Sequence, residues 1–431
     1  MAAACPALLV AAPASGQGKT SVVAALARLH ARQGRRVKVF KCGPDFLDPQ
    51  IHQVASGQPC DNIDFRMCGE ADARRRLARA ARDNDLILVE GVMGLHDGEP
   101  SAAELARRLG LPVLLVADAE AMAGCFGAVA WGLKHYREGA PISAVLANRV
   151  GSDYHARLCR DTVPDDIAWY GHLPRDAAAA LPERHLGLLP AAEIDGLLAR
   201  LDAMADALAA TPAGNLPPPV AFAEAAPPPV PPLLAGKTIA VGRDAAFCFI
   251  YPANLECLEA LGARLAFFSP LAESSLPRCD AVWLPGGYPE LHLDAIGTNA
   301  AMAAALAVHV AEGKPLLAEC GGMMACFETL VGIDGVARPA FGLLPGLTRM
   351  QTRLAALGLQ SLDLPEGRLG AHTFHYSLCE TTLAPALWAS RQQGGGPAPG
   401  EAVYRRGRLT ASYLHLYFPS CPAAAAGLFL P

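Results

Sequence analysis

Charge is scarce in this chain. Asp, Glu, Lys and Arg make up 18% of its 431 residues, against a typical fraction of about 25%, and 52% are hydrophobic, which excludes a disordered polyelectrolyte. A basic surplus is also missing: 36 Lys and Arg face 41 Asp and Glu, for a net charge of −5. That balance excludes a nucleic-acid binder working by bulk charge, so any phosphate site must be built locally. No run of about 18 apolar residues escapes interruption by a charge, His, Gly or Pro, so no spanning helix and no membrane partner are predicted. The first residues carry no positive leading segment and run directly into Gly16-Gln17-Gly18-Lys19-Thr20. They read as a strand rather than an export signal, and a cytoplasmic location is expected. The 13 Cys include no C-x-x-C pair and no Cys/His group at zinc spacing, so most are expected to be small buried hydrophobes in a reducing compartment.

Proline, by contrast, is abundant, and its distribution divides the chain. Nine of the 22 residues from Thr211 to Pro232 are Pro. Fixed φ and missing N–H donors make such a stretch a stiff, extended connector. The expected organisation is a domain over 1–210, a linker over 211–234 and a second domain over 235–431, within the two to three domains that about 150 residues per domain allows. In the first half the apolar runs ALLVAA, VKVFK, LILVE, PVLLVAD and ISAVLAN alternate with helical patterns, the first of which spans about Lys19 to Gln33. The second half repeats the style with TIAVGRD, ARLAFFSP, AVWLPGG and KPLLAEC. Continuous apolar strands between helices predict α/β domains with parallel sheets covered on both faces, and active loops at the carboxyl ends of the strands.

Directly after the first strand, Pro13 to Thr20 reads as a phosphate loop opening a helix. Gly16 and Gly18 let backbone N–H groups face phosphates, Lys19 can reach the β and γ phosphates, and Thr20 can ligate Mg²⁺. Pro13 stands where the standard pattern has Gly, but G-x-G-K-T is intact. The second strand leads into Lys41-Cys42-Gly43-Pro44-Asp45-Phe46-Leu47-Asp48, a cation and two carboxylates suited to phosphate neutralisation, Mg²⁺ binding and substrate orientation. Glu90 ends the strand LILVE opposite the phosphate loop and is a candidate to hold Mg²⁺ directly or through water.

In the second half Cys320 lies on the turn between LLAE and a helix that opens with Gly321-Gly322. Such an elbow exposes a thiol, supplies the Gly321 N–H as an oxyanion donor and uses the positive helix end to favour thiolate. Pro285-Gly286-Gly287, closing another strand, can complete an oxyanion hole through the Gly287 backbone. A thiol nucleophile needs a base, and spacing does not choose among His292, His309, His372, His375 and His415.

The segments APASGQGKTS, KCGPDFLDP and EGVMGLHDG together resemble the amino-terminal domain of cobyrinic acid a,c-diamide synthases, which is similar to dethiobiotin synthetase. AECGGM, LPGGYPE, AHTFHYS and SYLHLYFPS resemble, in order, the class I glutamine amidotransferase domain of the same family. The resemblance implies an ATP- and Mg²⁺-dependent ligase in cobalamin biosynthesis. It would phosphorylate the a and c acetate carboxylates of a tetrapyrrole polycarboxylate, cobyrinic or hydrogenobyrinic acid, and amidate them with ammonia from L-glutamine. By position, Lys19, Thr20 and Lys41 would meet phosphates, Thr20, Asp45 and Glu90 would serve Mg²⁺, and Asp48 and Asp97 would hold substrate or catalyse. Asn148 would read the adenine edge, Cys320 would be the nucleophile and His415 its base. Ordinary class I amidotransferases carry H-x-E; here position 417 is Tyr, as in the branch lacking the third triad member. Position 373 is Thr where the family form has Glu.

Nickel-sirohydrochlorin a,c-diamide synthase shares nearly all these motifs, whereas cobyric acid synthase has a Q-N-M type segment in place of GPDFLDP. A nucleotide-switched partitioning ATPase, the non-enzyme alternative, would carry its signature Lys at position 14, which is Ala, and would leave Cys320 unexplained. The oligomeric state, a homodimer included, is left open by the sequence.

Overall fold

The computed structural model describes residues 2–175, 181, 183–184, 187–188, 190–225, 229–392 and 399–431. The chain forms two compact units. One comprises Met1–Phe65 and Gly69–Pro227, the other Arg66–Cys68 and Pro228–Pro431.

The first unit contains β1 (Ala3–Ala11), α1 (Lys19–Arg32), β2 (Val37–Cys42), α2 (Asp48–Ser56), β3 (Asp61–Ile63), α3 (Glu70–Asp83), β4 (Leu86–Glu90) and α4 (Ala102–Leu109). It continues with β5 (Val113–Asp118), α5 (Cys125–His135), β6 (Ile142–Val150), α6 (Asp153–Arg160), β7 (Ala168–Pro174), α7 (Leu197–Ala209) and β8 (Pro219–Phe222). The sheet order is β3-β2-β4-β1-β5-β6-β7, with parallel pairing along this path. Alternate residues of β1 supply two cores. Leu8 and Val10 pack with Val22 and Leu26 of α1 and Leu201 and Leu208 of α7. Ala7, Leu9 and Ala11 join Leu77 of α3, Leu105 of α4 and Phe126 of α5. Both faces are thus covered, which is why these strands are apolar throughout.

The proline-rich segment is not wholly a free connector. Residues Pro219–Phe222 form β8, antiparallel to the start of β1, with Phe222 buried in the core. Pro219 occupies the first position of the strand, where a missing donor is tolerated.

The second unit has β9 (Thr238–Gly242), α8 (Pro252–Ala260), β10 (Arg264–Phe268), β11 (Ala281–Leu284), α9 (Leu293–Thr298), α10 (Ala300–Ala311), β12 (Leu316–Glu319) and α11 (Gly321–Cys326). Among its later elements are β13 (Ala356–Leu364), β14 (Gly367–His375), β15 (Leu387–Trp388), β16 (Ala402–Arg406), β17 (Leu409–Ser412) and β18 (His415–Tyr417). The main sheet runs β10-β9-β11-β12-β17-β16-β15, parallel from β10 to β17 and antiparallel beyond. Strand β18 belongs to a different sheet, pairing antiparallel with β14 and placing His415 opposite His372. Among the described residues no helix is long and apolar enough to cross a membrane.

Candidate active sites

In the first unit the chain leaves β1 and turns into α1 through two glycines with positive φ, Gly16 at 75° and Gly18 at 96°. A side chain at Gly18 would bring its Cβ within 2.3 Å of Asn148 Nδ2. That amide donates to Gln17 O at 2.9 Å, and its Oδ1 accepts from Arg149 N at 3.0 Å, so Asn148 braces the loop at the end of β6. Lys19 is buried and donates to Ala14 O and Met93 O at 3.2 and 2.6 Å, folded back over its own loop. Burial and the nearby Lys41 pull its ammonium below the usual lysine range.

Beneath this loop lies a buried polar cluster. Glu90 Oε1 accepts from Thr20 Oγ1 at 2.7 Å and from Lys41 Nζ at 2.8 Å, while Oε2 meets His52 Nε2. Lys41 also donates to Asp48 Oδ2, and Asp45 Oδ2 lies 3.9 Å from it. Against the cost of burial, Lys41 and His52 hold Glu90 below the usual carboxylate range, whereas burial together with Asp45 and Glu90 pushes Asp48 well above it. Despite full burial, Asp48 and Glu90 raise Lys41 above the ordinary lysine value. Asp45, Asp48 and Glu90 all face the one Lys41 ammonium, and Asp48 Oδ1 is buried with no hydrogen-bond partner. With the Thr20 hydroxyl they bring together oxygen donors of the kind a hard divalent cation takes, although among the described residues no group of three His, Cys, Asp or Glu is arranged to hold a metal ion. Asp97 caps its own turn by accepting from Gly94 N at 2.8 Å, and its charge acts on Lys19. His52 was not singled out from sequence; the available signal was its spacing of four from Asp48, which puts both on one face of α2.

In the second unit Cys320 has φ 45° and ψ −106°, and its N–H donates to Ser412 O at 2.7 Å. It is buried, as is His415. Gly286 lies between them: a Cβ there would come within 2.3 Å of His415 Cε1 and 3.4 Å of Cys320 Cβ. A Cβ on Gly321 would fall 2.9 Å from Gly287 N, and one on Gly287 (φ 156°) would fall 2.1 Å from Ala246 O. The predicted oxyanion backbones, Gly287 and Gly321, are therefore packed against one another beside the thiol, a closeness only glycine allows. Burial, with a further push from Glu290, drives the Cys320 thiol far above its usual value. Burial, then His372 and His375, holds His415 well below the ordinary histidine value.

Of the other histidines considered, His372 is closest in arrangement, its ring 6.0 Å from that of His415. His309 is turned to Pro315 O at 3.0 Å. His375 stacks on Tyr413 at 3.6 Å and lies 3.1 Å from Glu401 Oε1. Thr373 Oγ1 donates to that same carboxylate at 3.0 Å, so Glu401, just before β16, places an acid beside position 373. Tyr417 is fully buried against Tyr251, their ring centroids 5.8 Å apart.

Residues 8–189 match the CobQ/CobB/MinD/ParA nucleotide binding domain, and residues 238–422 the CobB/CobQ-like glutamine amidotransferase domain. The chain is 58% identical over 427 residues to a hydrogenobyrinate a,c-diamide synthase of Pseudomonas aeruginosa, covering 99% of this chain and 98% of that one. Similarity to the protein of the same name from Stutzerimonas stutzeri is also 58% over 427 residues, with 99% of each covered. A cobyrinate a,c-diamide synthase of Herminiimonas arsenicoxydans is 47% identical over 427 residues, 98% of this chain and 96% of the relative.

Proposed function

The chain belongs to the a,c-diamide synthase family, and from that premise we propose that it amidates the a and c acetate carboxylates of hydrogenobyrinic or cobyrinic acid in cobalamin biosynthesis. The hydrogenobyrinic form is favoured, because two relatives at 58% identity carry that substrate in their names and the cobyrinate relative stands at 47%.

In the second unit, attack of the Cys320 sulfur on the side-chain amide carbon of glutamine passes the thiol proton to His415. The N–H groups of Gly287 and Gly321 stabilise the tetrahedral oxyanion. His415 returns the proton to the departing ammonia, and water then cleaves the thioester to glutamate, regenerating the thiol. In the first unit the substrate carboxylate attacks the γ-phosphate of ATP, giving an acyl phosphate and ADP. Gly16, Gly18 and Thr20 cradle the nucleotide, Lys19 and Lys41 neutralise phosphate charge and Asn148 reads the adenine edge. Mg²⁺, which neutralises charge on the phosphates when bound, would be held by Thr20, Asp45 and Glu90, with Asp48 and Asp97 left to orient the macrocycle's carboxylate. Ammonia displaces phosphate from the acyl phosphate and the amide forms. Carboxylate alone is a poor acyl acceptor, and the mixed anhydride supplies the leaving group.

The reading rests on the presence of a phosphate-loop cluster and a Cys–His pair in one chain that matches diamide synthases almost end to end. Its test is glutamine-dependent turnover with hydrogenobyrinic, cobyrinic and nickel-sirohydrochlorin substrates, with products resolved by mass spectrometry. Two successive acid-to-amide mass changes in a corrinoid are expected. Cys320→Ala should lose turnover with glutamine and keep it with ammonia, and Lys19→Ala should lose it with both. Full glutamine-dependent activity in Cys320→Ala, or ammonia-dependent activity in Lys19→Ala, would overturn the respective assignment.

A further inference from the structure

Glu319 precedes the nucleophile and has no part in the chemistry above, yet its surroundings are unusual for a carboxylate. It is 3% exposed, and among the described residues no Lys, Arg or His forms an ion pair with it. Its oxygens accept from two neutral donors: Oε1 from Leu416 N and Oε2 from Trp283 Nε1, each at 2.9 Å. Burying a carboxyl group without a counter-charge is costly, and burial raises this one to about 8. An apolar side chain would pack there at lower cost, so the carboxyl calls for a reason.

Its partners supply one. Leu416 follows His415 on β18. Trp283 is on β11, two residues before Pro285 and the Gly286-Gly287 loop. Glu319 itself ends β12 and adjoins Cys320. Strands β11 and β12 are held together by their own ladder, with Trp283 opposite Leu317, but β18 lies in another sheet and has no ladder to either. The carboxyl group bridges that gap. Asn254 completes the clasp, donating to Leu416 O and accepting from Phe418 N, both at 2.8 Å.

We propose that Glu319 is the positioning residue of the glutaminase site, joining nucleophile, oxyanion loop and base through one carboxyl group. It takes the place of the third triad acid that Tyr417 rules out. It fixes His415 through the backbone of the next residue rather than through the imidazole. The inference rests on the Cys320–His415 reading.

The test is Glu319→Gln in the full-length protein. Glutamine keeps the size but turns an N–H₂ toward one of two N–H donors, so β18 must shift. A displacement of about 1 Å costs on the order of 10²-fold in rate. The expected result is a loss of about tenfold or more in kcat/KM for glutamine. Water reaching His415 should also move the acid limb of the pH profile upward, while ammonia-driven amidation stays within about twofold. Trp283→Phe, which removes one donor and keeps the packing, should give a smaller loss with the same direction of pH shift, and it carries the test if the first variant does not fold. Wild-type kcat/KM and pH profile in both variants would overturn the proposal. So would equal loss with glutamine and ammonia at an unshifted acid limb, since that is general destabilisation. Glutaminase activity surviving in Cys320→Ala would instead remove the reading beneath it.

Discussion

Burial and the two neighbouring histidines, His372 and His375, hold the His415 imidazole well below the ordinary histidine value. The direction has a measurable consequence. Neutral His415 is the form that accepts the thiol proton, so lowering its pKa extends the active form to lower pH. The acid limb of kcat/KM for glutamine is expected below the ordinary histidine value of 6.5, and a stopped assay of glutamate release across pH would show it. A limb at or above 6.5 would place the base elsewhere or give it a carboxylate partner. Residues of this kind divide by how local their signal is. Lys19, Thr20 and Cys320 were legible because each stands at a fixed offset from glycines at a strand-to-helix turn. His52, Glu319 and Glu401 were not, because the atoms they bond, Glu90, Leu416 and Thr373, lie tens of residues away in sequence. Of these only His52 had a local cue, its helical spacing from Asp48.

The strand-loop-helix unit recurs at both sites, and at each one a glycine makes room for a side chain from a distant strand: Gly18 for Asn148, Gly286 for His415. Gly286→Ala is expected to displace the imidazole and reduce glutamine-dependent turnover on the order of 10²-fold, with ammonia-dependent turnover kept, as steady-state assays with the two nitrogen sources would reveal. Retained glutamine turnover would mean that the ring can move aside without loss. Strands and helices of this type were readable in advance: α1 was expected over about Lys19 to Gln33 and spans Lys19–Arg32, and β4 ends at Glu90 as expected. Strand β8 was not, because prolines mask a short strand whose partner, the start of β1, is some two hundred residues away. The sheet holding β14 and β18 escaped for a similar reason: antiparallel pairing of His372 with His415 leaves no trace in local pattern.

At the scale of the molecule, two α/β units divide the labour: one carries the phosphate loop, the other the thiol. Their parallel sheets were legible from apolar runs alternating with helices. The substrate was not: nothing in the motifs is peculiar to a corrinoid, and no basic surplus in a chain of net charge −5 advertises a polyacid ligand. One local feature bears on the fate of the whole. Cys320 holds φ 45° and ψ −106°, a backbone that costs a side-chain-bearing residue about 1–3 kcal/mol and costs glycine far less. Cys326, equally buried on a regular helical turn, carries no such debt. Cys320→Gly should therefore lower the melting temperature less than Cys326→Gly, a comparison that scanning calorimetry decides. Breeding this protein for heat resistance alone would thus tolerate erasure of its nucleophile more readily than loss of a neighbouring buried thiol, so any such campaign has to count turnovers as well as survivors.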